Sequence, residues 1–305
     1  MARPDAQKST IVRAHEAQGL RSAFAVLERT APGLGARLAE ELWFRVPGPA
    51  PVGVPGPSAP GAGTPFEVSW QGHAVRGRRW GEGPVVYLVH GWGGHAGQLA
   101  SFVGPLVGAG FSAVAYDGPS HGDSDPGPFG RGKGSVVELG QALDAVFARF
   151  GPAHAVVAHS MGAMSSVLAL RDGWLGARRL AFVAPLVDAA AVLPVFADRL
   201  GLGPRVRRRL TERIRDRIGL PIEEFDLVRL SGQIERPELL VVHDEADRET
   251  PHAAARELVG AWPGARLVTT RGLGHRRILR DAGVVRSVVE FVRAGDAEQE
   301  LSQPA

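Results

Sequence analysis

The sequence predicts an α/β protein built on a doubly wound, mostly parallel sheet, and three observations carry that prediction. From Pro84 onward, short apolar runs alternate with stretches of helical periodicity. The apolar runs are hydrophobic along their whole length, as strands covered on both faces must be. The alternation breaks only once, between Pro185 and about Pro237, where no strand candidate occurs and the chain reads as helical. Strands alternating with helices pack as a sheet with helices on both faces, and the break reads as a helical lid inserted into that pattern.

The strand candidates in order are Phe66–Trp70, His73–Trp80, Val85–His90, Phe111–Asp117, Ala155–His159, Leu180–Ala184, Leu239–His243 and Arg266–Thr269. Helices are expected between them, notably Val136–Phe150, Met161–Arg171, Ala253–Val259 and Arg277–Arg293. Ahead of the sheet, residues 1–46 form a separate segment. Leu20, Phe24, Leu27, Leu34, Leu38, Leu42 and Phe44 recur there at roughly helical spacing. Pro32 and Gly33 divide the pattern into two helices, expected to pack on the main domain. A peripheral contact with a membrane surface is a second use of such helices, which the mixed charge of their polar face disfavours. Residues 47–65 are mostly Pro and Gly and read as a linker. The main domain is expected over 66–295, with the lid at about 186–236 and a tail at 296–305. The lid is rich in Arg, from Arg205 to Arg217, and the plain expectation is a solvated helix face.

Composition narrows the function classes. The chain of 305 residues is 44% hydrophobic and 22% charged, which is ordinary for a globular protein. With no cysteine, disulfides, thiolate metal sites and a cysteine nucleophile are excluded. The net charge of +3 is too small an excess to argue for nucleic acid. No run of about 18 apolar residues suggests a membrane span, and Met1–Thr10 lacks the apolar core of a secretory signal, so the cytoplasm is the expected location.

The strongest chemical signal is Ala155-Val156-Val157-Ala158-His159-Ser160-Met161-Gly162-Ala163. An apolar strand runs straight into a helix with Ser160 on the turn, flanked at two residues on each side by small Ala158 and Gly162. A nucleophile elbow needs that arrangement, because the sharp turn exposes the hydroxyl at the carboxyl end of the sheet. The stretch resembles the α/β-hydrolase superfamily, although Ala158 stands where its G-x-S-x-G pattern has Gly. Other segments match in the expected order. His90-Gly91-Trp92-Gly93-Gly94 resembles the H-G-x-G-G oxyanion loop. Asp117 to Ser124 resembles the D-x-x-x-H-G-x-S loop, and His243 to Pro251 resembles the acid-bearing H-G-x-x-D…P loop with Asp244 in place of Gly. Gly272-Leu273-Gly274-His275 resembles the G-x-G-H loop that presents the catalytic His.

The resemblance implies Ser160 as nucleophile, His275 as base and Asp247 as the acid that orients the imidazole. It also implies an oxyanion hole of the Trp92 and Met161 backbone N–H groups. Asp244, Asp188 and Glu245 compete for the acid role. The implied reaction is acyl transfer to water on a small ester-like substrate, without cofactor or metal. Thioester, amide or carbon–carbon cleavage and a non-catalytic scaffold of the same fold are the alternatives. Gly91-x-Gly93-x-x-Ala96 with Asp117 imitates a dinucleotide fingerprint but leaves Ser160 and His275 unexplained. The near phosphate loop ending at Lys133 carries Gly134 where a magnesium-binding hydroxyl belongs. A metal at His243, Asp244, Glu245 and Asp247 is disfavoured, because neighbouring side chains on an extended segment point opposite ways. His90, His121 and His159 are expected to support loops, with His159 facing away from the nucleophile.

Overall fold

The computed structural model describes residues 18–48 and 61–294. Residues 49–60 of the expected linker, the first 17 residues and the expected tail at 296–305 lie outside the described residues. The chain divides into two compact units. Val46–Val187 with Asp226 onward forms the larger, and the residues up to Arg45 with Asp188–Phe225 form the smaller.

The larger unit is the sheet domain. Its strands are β1 (Thr64–Trp70), β2 (His73–Trp80), β3 (Val85–Val89), β4 (Ser112–Tyr116), β5 (Ala153–His159), β6 (Ala177–Val183), β7 (Glu238–Asp244) and β8 (Arg266–Thr270). They form one eight-stranded sheet in the order β1-β2-β4-β3-β5-β6-β7-β8. β1 and β2 are antiparallel and close a hairpin at Gln71 and Gly72, both with positive φ, as a two-residue turn of matching twist requires. From β4 to β8 every pairing is parallel.

Strand alternation sorts the apolar side chains into two layers. Val86, Leu88, Val157 and Val242 join Phe102 and Leu106 of α3 (Ala100–Gly108) and Val288 and Phe291 of α11 (Ala282–Arg293) in one core. Tyr87, one residue out of phase, faces the other side and meets Phe147 of α4 (Val136–Phe150). α5 (Met161–Arg171) packs beside α4 and α8 (Leu227–Ser231), and α8 packs against α9 (His252–Ala261). Each fully buried Leu or Phe contributes about 1.5–3 kcal/mol relative to exposure, so the continuous apolar strands drive this sandwich. The segment read from sequence as one helix, Arg277–Arg293, is broken. A short α10 (Gly274–Arg277) and a tight turn precede α11, because the Asp281 side chain accepts the Val284 N–H and starts a new helix.

The smaller unit takes in the N-terminal helices and the segment between β6 and β7. Residues 18–30 form α1, followed by α2 (Pro32–Trp43), with the break at Ala31 and Pro32 in the first turn. Between β6 and β7 the chain inserts α6 (Val192–Leu200) and α7 (Pro204–Ile218). The N-terminal helices pack on this insertion. Gly35 of α2 lies so close to Val206 that a Cβ would stand 2.9 Å from its methyl. Glu28 of α1 accepts the Arg205 and Val206 backbone N–H groups at 2.9 and 3.0 Å. It therefore caps α7, whose own N-cap Gly203 has no side chain to do so. Arg205, Arg208, Arg209 and Arg215 are exposed, as a solvated Arg face requires, while Arg213 and Arg217 turn onto buried Glu40 of α2. Trp43 meets Phe196 edge-on, with centroids 5.1 Å apart. Among the described residues no helix is long and apolar enough to cross a membrane.

Candidate active site

The strand order reverses direction between β3 and β5, and ligands of open α/β sheets bind in the crevice that such a switch leaves at the carboxyl ends. The sequence-predicted residues of the sheet domain gather at that end. Ser160 follows β5 and precedes α5, with φ 54° and ψ −121°. A non-glycine residue held there costs about 1–3 kcal/mol of local strain, retained only where the surroundings enforce it. They do so here: the Ser160 N–H donates to Val183 O, and Ser160 O accepts from Ala163 and Leu186. Gly162 is required by close approach, since a Cβ would stand 2.6 Å from Val89 O.

The loop after β3 lies against this elbow. A Cβ on Gly91 would sit 2.8 Å from the Ser160 Cβ, so only glycine lets the loop come this near. Gly94 N donates to Gly91 O, closing a turn around Trp92. Two histidines brace it. His90 Nδ1 donates to Gly91 O at 2.7 Å while its Nε2 accepts the Gly118 N–H at 2.9 Å. His121 Nδ1 donates to Pro119 O, and its Nε2 accepts the Gly93 N–H at 3.1 Å. Each ring uses one nitrogen as acceptor and so must be neutral. Burial pushes His90 down to about 4 and His121 to about 3. The acid of the apparent dinucleotide fingerprint is also occupied, since Asp117 accepts the backbone N–H groups of Ala96 and Asp123.

Loops after β7 and β8 bring in Asp247 and His275, the expected acid and base. His275 Nδ1 stands 2.8 Å from Asp247 Oδ2, and both side chains are buried. The Asp247 Oδ1 accepts the N–H groups of Glu249 and Thr250 at 2.8 and 3.1 Å. Burial opposes ionisation of Asp247, but the hydrogen bonds from His243, His275 and these two amides outweigh it and hold the carboxyl far below its usual range. Of the competing acids, Asp244 is fully buried and braces the loop. It accepts Thr270 Oγ1–H at 2.8 Å, Leu273 N–H at 2.9 Å and Ala246 N–H at 3.0 Å. Burial works against its charge, yet these bonds lower it to about 2. Asp188 belongs to the smaller unit and accepts the Ala190 N–H. Glu245 pairs with Arg271 at the surface.

Three side chains around His275 were given no such place by the sequence. Thr250 Oγ1 lies 3.1 Å from Asp247 Oδ2 and 3.3 Å from His275 Nδ1. His243 Nε2 donates to Thr250 O at 3.0 Å and stands 3.5 Å from Asp247 Oδ2. His159 reaches the backbone of His275 itself. Only the turn around Asp247 has a local signature, an Asp whose side chain binds the amides two and three residues on, just before Thr250-Pro251.

Two family models match the chain in succession: a serine aminopeptidase (S33) model over residues 83–218 and a TAP-like protein model over residues 220–303. The chain belongs to the α/β-hydrolase superfamily. Solved structures agree on the fold of this hydrolase. A CIB-like hydrolase from Thermoplasma acidophilum, described as predicted, is 17% identical with a TM-score of 0.57, covering 75% of this chain and 97% of its own. A monoacylglycerol lipase from Paleococcus ferrophilus is 23% identical with a TM-score of 0.56, covering 72% and 98%. An esterase from Exiguobacterium antarcticum is 15% identical with a TM-score of 0.57, covering 76% and 100%. No curated protein matches the chain.

Proposed function

We propose that this hydrolase is a serine esterase in which Ser160, His275 and Asp247 act as a triad. The observation that carries the reading is a strained serine at the switch point of the sheet, in the same unit as an imidazole whose Nδ1 is held 2.8 Å from a buried carboxylate. A serine hydroxyl is a weak nucleophile until a base takes its proton. In this scheme Asp247 accepts the Nδ1–H of His275, which leaves Nε2 unprotonated. As Ser160 Oγ attacks the ester carbonyl, its proton passes to Nε2. The Met161 and Trp92 backbone N–H groups face the oxyanion that develops. Collapse of the tetrahedral species expels the alcohol, which takes the proton from His275. Water then attacks the acyl-enzyme with His275 again as base, releasing the acid and free Ser160. No cofactor enters these steps.

A small carboxylic ester is the proposed substrate class, in keeping with a lipase and an esterase among the structures similar to this chain. The test is a panel of activated esters of increasing acyl length, run on the wild type and on Ser160→Ala. Turnover on part of the panel, lost in the variant, supports the reading. Equal turnover by both proteins refutes it.

A further inference from the structure

His159 is the last residue of β5, paired in register with Val183 of β6 at the centre of the sheet. Its neighbour Ser160 turns into the elbow, while the imidazole of His159 leads elsewhere. Its Nε2 lies 3.0 Å from the backbone carbonyl oxygen of His275. A carbonyl only accepts, so Nε2 carries the hydrogen and donates it. Its Nδ1 is buried with no hydrogen-bond partner among the described residues. The two rings lie 4.7 Å apart, centroid to centroid, inclined at 48°. The base therefore has Asp247 and Thr250 at Nδ1, and His159 at its ring and backbone.

The loop that receives this bond is braced from one side by Asp244, which accepts the Leu273 N–H, and by Arg277, whose guanidinium donates to the Gly272 and Leu273 carbonyls. His275 sits in a four-residue helix that begins at Gly274 and follows Gly272, both with positive φ. Glycines in that conformation supply no side chain to fix the path of the chain. The His159 bond ties this loop to the strand that presents Ser160. We infer that His159 is a positioning residue that sets the distance between nucleophile and base, by donating a hydrogen bond from the nucleophile's strand to the backbone of His275. The inference rests on the serine-esterase reading. Burial pushes His159 down to about 3, so the ring stays neutral beside an imidazolium formed during the reaction.

Two substitutions separate the bond from the ring. His159→Phe keeps an aromatic ring against His275 and removes the donor. His159→Gln removes the ring and keeps an amide N–H at similar reach. Loss of fixed geometry acts on the chemical step, where a misplacement of about 1 Å costs up to about 100-fold. His159→Phe is expected to lower kcat by about 10- to 100-fold with KM little changed, and His159→Gln to stay within about threefold of the wild type. The measurements are kcat and KM on one activated ester, per folded molecule, with the melting temperature of each variant beside them. A purely structural role would lower melting temperature in both variants and leave kcat intact. Wild-type kcat in His159→Phe, or an equal fall in both variants, would overturn the inference. If His159→Phe does not fold, a folded His159→Gln decides alone: a fall of about tenfold or more overturns it. Ser160→Ala is run alongside. Its loss of turnover with a wild-type His159→Phe overturns only the positioning role, whereas turnover in Ser160→Ala overturns the esterase reading beneath it.

Discussion

Asp247→Asn tests the triad through the geometry of a single side chain. Asp247 Oδ1 accepts two backbone N–H groups, from Glu249 and Thr250, while Oδ2 faces His275 Nδ1. An asparagine there must keep its oxygen toward the two amides, because turning its NH₂ to them would leave both donors unpaired. Its NH₂ then faces Nδ1, donates to it, and forces the ring hydrogen onto Nε2. That is the wrong tautomer to receive the Ser160 proton. The corresponding change in serine proteases lowers kcat about 10⁴-fold, or roughly 5 kcal/mol of transition-state stabilisation. Asp244→Asn works differently. Both Asp244 oxygens accept backbone N–H groups, so either orientation of an amide opposes one of them. The expected cost is about 1–3 kcal/mol of stability from an unpaired buried donor. Steady-state kinetics on an activated ester, with urea denaturation of both variants, separates the effects. Asp247→Asn should cripple kcat while staying folded, and Asp244→Asn should lose stability first. A folded Asp247→Asn with near wild-type kcat would refute the tautomer argument.

Acid should destabilise the protein well before carboxylates titrate. His90, His121 and His159 fold neutral, lowered by burial to about 4, 3 and 3, against about 6.5 unfolded. Their contribution is whole above pH 6.5 and shrinks as pH falls toward 4, by about 1.4 kcal/mol per pH unit for each ring. Urea midpoints at pH 7.5, 6 and 5 should fall steeply, and a flat series would contradict buried neutral rings. In the smaller unit, Glu28→Ala removes the cap of α7 and should cost about 1 kcal/mol, lowering the melting temperature by a few degrees. Equal melting temperatures would show that the contact carries no stability.

What the sequence makes legible is what has a local cause. The parallel sheet follows from continuous apolar runs such as Val85–Val89 and Ala155–Ala158, whose burial needs no distant information. The turn at Ser160 is visible because a strand runs into a helix between two small residues. The approach of Asp247 to His275 is legible through the order of loops after β7 and β8. Contacts between distant residues of unremarkable type leave no such trace. His159 and the His275 carbonyl are 116 residues apart, and Glu28 caps a helix 177 residues away. The N-terminal helices show an apolar face, but periodicity does not say what covers it, and the docking onto α7 rests on Gly35, Gly203 and Glu40. Thr250 has no signature beyond its place after the Asp247 turn.

The central claim is that Ser160 is an activated nucleophile, and covalent labelling tests it most directly. The full-length protein is treated with a fluorophosphonate probe, and the modified peptide is mapped by mass spectrometry, with Ser160→Ala as the control. Stoichiometric label on Ser160, absent from the variant and slowed in Asp247→Asn, is the predicted result. A folded wild-type protein that takes no label, or takes it on another residue, would contradict the account and leave the fold as a scaffold without serine chemistry.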